Sequence, residues 1–65
     1  MKNQTTKTNL LKEARTRSLY QPSRIFYILI KGEDAAITAN ENILNSLTSD
    51  NFTVYAKMKN GDLIL

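Results

Sequence analysis

The sequence predicts a small α+β domain of β-β-α-β-β order behind a basic N-terminal arm, and three observations carry that reading. A continuous apolar run over Ile25 to Ile30 is rich in β-branched and aromatic residues. A strictly alternating run from Phe52 to Lys59 leads into Asn60-Gly61. Between them lies a helix-start pattern ahead of Ile43, Leu44 and Leu47. The chain has 65 residues, of which 42% are hydrophobic and 23% charged, which suits one compact domain.

Residues 1–23 form the arm and residues 24–65 the domain. Met1 to Asn9 is Lys-, Asn-, Gln- and Thr-rich, as expected of a mobile leader. Asn9 suits the cap of a short helix from Leu10 to about Arg17, with Leu10, Leu11 and Ala14 on one side. Gln21-Pro22-Ser23 then breaks the chain, because Pro22 lacks an amide proton and biases Gln21 toward extended geometry.

Ile25 to Ile30 does not alternate, so both of its faces must be covered and the strand is central or lies in an interface. Gly32-Glu33-Asp34 follows as a turn, and Ala35 to Thr38 reads either as a return strand or as the start of a helix. Thr38 and Glu41 have capping-box spacing, which sets a helix from near Ala39 to near Thr48 with Ile43 and Leu47 on one face. Thr48 to Asn51 has turn composition.

In the last segment a type I′ turn at Asn60-Gly61 pairs Lys59 with Asp62, Met58 with Leu63 and Ala56 with Leu65. That register places Phe52, Val54, Ala56, Met58, Leu63 and Leu65 on one apolar face. So short a closing strand leaves part of its partner's edge uncovered. With so much apolar surface for the chain length, the expectation is an intertwined homodimer.

Composition narrows the function. There is no His and no Cys, so a Ser-His-Asp triad, a cysteine nucleophile, a thiolate cage and a disulfide are excluded, and no catalytic, metal or cofactor residues are expected. Two glycines cannot build a Gly-rich phosphate loop, and the six carboxylates are scattered. A non-enzymatic protein is expected. The longest apolar run falls far short of the roughly 20 residues a membrane span needs. No secretory leader is evident, so the cell interior is the expected location.

The charge is asymmetric. Residues 1–32 hold Lys2, Lys7, Lys12, Arg15, Arg17, Arg24 and Lys31 against Glu13 alone, whereas residues 33–65 hold Lys57 and Lys59 against Glu33, Asp34, Glu41, Asp50 and Asp62. A cationic leader on a mildly acidic body points to a polyanion, above all DNA, or to an acidic protein surface. Lys12, Arg15, Arg17, Arg24 and Lys31 are the candidate nucleic-acid contacts, although a solubilising tail would have the same composition. Tyr20 and Tyr27 lie among these cations, where an aromatic ring can stack on a base. Core packing is the plainer role for Tyr27.

The order strand, turn, short strand, brief helix and closing hairpin over residues 25–65 resembles the swapped-hairpin barrel of AbrB-type regulators, MazE-type antitoxin domains and SymE-like toxins. Ile37, Ile43 and Leu47 match its buried aliphatic positions, and Lys59 to Leu65 matches its acidic-Gly turn and aliphatic strand. The resemblance implies a dimer that exchanges hairpins and binds DNA. The sequence departs from the family at its contact positions. Ala35-Ala36 stands where the family has Gly-Arg, Asn40 stands in place of a proline, and Leu44 falls at the helix arginine. None of the family's DNA-contacting residues carries over, which returns the prediction to the arm cations. The competing reading is a protein–protein module or small inhibitor, for example from a phage or other mobile element. It would bind through its exposed strand or through the acidic surface of Glu33, Asp34, Glu41 and Asp50. A structural accessory of such an element fits the composition equally well.

Overall fold

A computed structural model describes the backbone of residues 2–64 and the side chains of residues 9–64. The elements are α1 (Lys2–Tyr20), β1 (Phe26–Lys31), β2 (Asp34–Thr38), α2 (Glu41–Ser49), β3 (Thr53–Lys59) and β4 (Asp62–Ile64). This is a small α+β domain with two helices and a four-stranded antiparallel sheet in the order β2-β1-β3-β4. β1 is central, as its unbroken apolar run requires. Ala35 to Thr38 belongs to a strand, not to the start of a helix.

Both hairpin turns follow from glycine-bearing dipeptides. Lys31 pairs with Asp34 across Gly32-Glu33, and φ is +59° at Gly32 alone, the signature of a type II′ turn. Lys59 pairs with Asp62 across Asn60 (φ 53°) and Gly61 (φ 82°), the type I′ turn expected there. Met58 opposite Leu63 also matches the expected register. The Ala56–Leu65 pair lies outside the described residues.

α2 is closed at both ends by its own side chains and turns. The cap is Asn40, whose side-chain oxygen accepts from Asn42 N at 2.8 Å and Ile43 N at 3.2 Å. Thr38, expected as the capping residue, instead ends β2, and its hydroxyl accepts from Asn40 N at 3.0 Å. The helix therefore starts at Glu41, later than the sequence pattern suggested. At the far end Asn51 adopts positive φ, Phe52 N donates to the Leu47 carbonyl at 3.0 Å and Asn51 N to that of Thr48 at 3.1 Å. This is a Schellman motif with asparagine in the place glycine usually takes.

The two helices cover opposite faces of the sheet. Ala14 of α1 is buried against Ile28 and Met58, flanked by Leu10, Leu11, Ile37 and Ala56. Leu29 points the other way, because successive strand residues alternate. On Leu29's face, Tyr27 shares a cleft with Ala39 and Glu41, and the Lys31 ammonium lies 3.6 Å from Asp50. The start of α2 thus lies near one end of β1 and its C-cap near the other, on the face of the fully buried Leu29, and the helix packs against β2.

The single apolar face expected for the last segment is corrected. The register with β1 jumps from Ile28–Ala56 to Leu29–Val54, leaving Tyr55 as the extra residue of a β-bulge. Ala56 and Met58 therefore serve the α1 side, and Val54 serves the α2 side together with Phe52, over whose ring Lys31 sits at 5.8 Å. One alternating run feeds two small cores. Ile43, expected to share the buried face of Leu47, is 50% exposed.

α1 begins well before the expected Leu10, and Asn9, expected as its cap, lies inside it. The buried Ser18 fixes the helix to the last hairpin. Its hydroxyl donates to the Arg15 carbonyl at 2.8 Å and accepts from Gly61 N at 2.8 Å. A side chain at Gly61 would press on Leu19, so both the turn's positive φ and this approach need glycine.

Candidate nucleic-acid interface

α1 carries Lys2, Lys7, Lys12, Arg15 and Arg17 against the single acid Glu13, while α2 has Glu41 and no cation. The sheet therefore separates a strongly basic layer from a weakly acidic one. The inner side of α1 is set by Leu10, Leu11, Ala14 and Ser18, which recur at near-helical spacing and meet the sheet. Lys12 lies opposite that side, and Arg15 lies one turn further on, beside it. Both are exposed, and neither has a carboxylate within ion-pair distance among the described residues. Thr16, on the same outer side, turns its hydroxyl back to the Lys12 carbonyl at 3.1 Å.

The other three candidate cations lie elsewhere. Arg17 is two positions from Arg15, and so on the opposite flank of a helix with about 3.6 residues per turn. It pairs with Glu13 in the favourable orientation, acid N-terminal to base. Lys31 is on the far face of the sheet, held by Asp50 and the Phe52 ring. Arg24 sits in the α1–β1 connection, where its guanidinium donates to the Gln21 side-chain oxygen at 3.2 Å. It also lines a shallow cleft of about 290 Å³ with Ser23, Ile25, Tyr27, Ala39 and Glu41. The structure thus brings Lys12 and Arg15 together, keeps Arg24 exposed at the end of the sheet, and leaves Arg17 and Lys31 engaged within the fold.

Sequence reasoning missed two participants. Ser18 orients the helix that presents Lys12 and Arg15, but a serine in a polar helix carries no signal of its partner. Glu41 faces the same cleft as Arg24 only because the β2–α2 connection returns past the start of β1. Tyr27 is half-buried on that cleft, between core and surface, and Tyr20 is 82% exposed at the end of α1.

On the outer side of α1 the exposed Lys12 and Arg15 suit non-covalent contact with an anionic partner. No helix among the described residues is long and apolar enough to cross a membrane. No protein-family model, curated protein or solved structure matches this chain.

Proposed function

We propose that the chain is a small non-enzymatic nucleic-acid-binding protein, a regulator or antitoxin-like factor that acts inside the cell as a homodimer. One observation carries this reading. Lys12 and Arg15 are exposed, without a carboxylate partner among the described residues, on the outer side of a helix whose inner side is held in the core. Cations fixed on a folded surface lose little freedom when they meet phosphates, unlike those of a loose tail. Arg24 adds an exposed cation in the α1–β1 connection, apart from these two and beside Glu41 in the cleft. Contacts of this kind position a nucleic acid without reading its sequence.

The test is binding of labelled duplex DNA by the wild type and by a Lys12→Gln, Arg15→Gln, Arg24→Gln variant. A loss of tenfold or more at low salt, with an unchanged melting temperature, is expected. Equal affinity would remove the reading.

A protein partner is the second reading, favoured by Ile43 standing half exposed on α2, a helix without cations. A one-to-one complex that forms with an unrelated protein, breaks on Ile43→Asp and retains no nucleic acid would establish it instead.

A further inference from the structure

We infer that two copies of this chain join through the outer edge of β2, antiparallel across a twofold axis at Ala36, into one continuous eight-stranded sheet. This rests on the homodimer in the proposed function and specifies where the copies meet. The type II′ turn makes Lys31–Asp34 a hydrogen-bonded pair, and alternation then assigns Leu29–Ala36 and Tyr27–Thr38 to the same class. The N–H and C=O groups of Ala35 and Ile37 accordingly point away from β1. No hydrogen bond to them is found among the described residues. Native edges are usually blunted by charges, above all Lys, by Pro, a bulge, brevity or a covering element. Asp34-Ala35-Ala36-Ile37-Thr38 has a single charge, at its first residue, no Pro, and an unbroken register with β1.

The strand is self-complementary, which selects a second copy over an unrelated one. Around a twofold at Ala36, Ala35 of each chain faces Ile37 of the other, and each such pair exchanges both of its bonds. Ala36 meets its own counterpart at the closely spaced position, where a small side chain fits. Asp34 falls opposite Thr38, so no like charges oppose each other.

The competing edge combines the three residues of β4 with the stretch of β3 before Lys57, which β4 does not reach among the described residues. In β4 only Leu63 points its backbone outward, Gly61 N is already bonded to Ser18, and the bulge at Tyr55 interrupts the stretch of β3.

A perpendicular twofold keeps like faces together. Both copies of α1 therefore lie on one side of the joined sheet, and Lys12 and Arg15 are presented twice to one polyanion.

The experiment is sedimentation equilibrium on the full chain, combined with oxidative cross-linking of single-cysteine variants, since the native chain has none. The wild type should dimerise. Ala35→Pro removes only an outward donor, so it should weaken association at least tenfold while retaining the far-ultraviolet spectrum. Should it fail to fold, Ala35→Lys at the same exposed position should give the same loss. Ala36→Cys should form a disulfide-linked dimer, because facing residues at that position lie about 4.5 Å apart, and Leu63→Cys should not. Cross-linking through Leu63→Cys instead would overturn the inference in favour of β4. A dimer that resists the Ala35 substitutions and shows no Ala36→Cys linkage would overturn it while leaving the dimer intact. A wild type that stays monomeric would overturn both.

Discussion

The two faces of the sheet are covered unequally. On the α1 side, Ala14, Ile28 and Met58 are buried together, and Ser18 ties the helix to the last turn. On the α2 side Leu29 is buried, but no residue of α2 is, and Ile43 stands half exposed. α2 is held mainly by its caps, by Lys31 with Asp50, and by the partly buried Leu44, Leu47 and Phe52. The cationic helix is therefore the better anchored of the two, although its sequence is the less amphipathic. Beside the partly buried Leu10 and Leu11, what fixes it is a small residue, Ala14, that allows close approach, and a serine that satisfies a turn amide. Neither is a large hydrophobe.

This asymmetry can be broken experimentally. Ile28→Ala should cost about 2–5 kcal/mol in urea unfolding, since it opens a cavity where α1 meets the sheet. A loss under about 1 kcal/mol would place the core elsewhere. Ser18→Ala leaves the Gly61 amide without its partner and should cost about 1–3 kcal/mol. No change would mean that water replaces the hydroxyl freely.

Asn40→Ala removes two cap bonds from α2 and should cost roughly 1 kcal/mol. Its effect on hydrogen exchange is more telling, because α2 amides should exchange faster while those of β1 stay protected. Loss of protection in β1 as well would show that the two faces unfold as one unit. The smallest effect is expected from Asp50→Asn. The pair with Lys31 is largely exposed, and such pairs contribute under about 1 kcal/mol.

Much of the fold was legible because its signals are local. Asn60-Gly61 dictates a hairpin and its register, and Ile25 to Ile30 announces a strand covered on both sides. Asn51 and Asn40 act through backbone chemistry that short windows of sequence contain, although capping-box spacing pointed to Thr38 over Asn40. The bulge at Tyr55 was not legible. Its alternating run fits a single face perfectly, and only pairing with β1 forces Val54 and Ala56 apart. The full length of α1 was hidden because its first residues are polar and carry no periodicity. At the candidate site the charges could be read from the sequence, but their arrangement could not. Whether Arg17 or Arg15 is already engaged depends on helix phase and on Glu13, and Lys31 is withdrawn by a residue that only the fold brings near.

The central claim is that α1 presents fixed, unneutralised cations to a polyphosphate, and the salt dependence of duplex DNA affinity tests it most directly. The logarithm of the association constant should fall linearly with the logarithm of salt concentration, and the slope should become shallower by about 1 for each of Lys12 and Arg15 changed to Gln. No measurable binding at about 50 mM salt, or a slope that the two substitutions leave untouched, would contradict it.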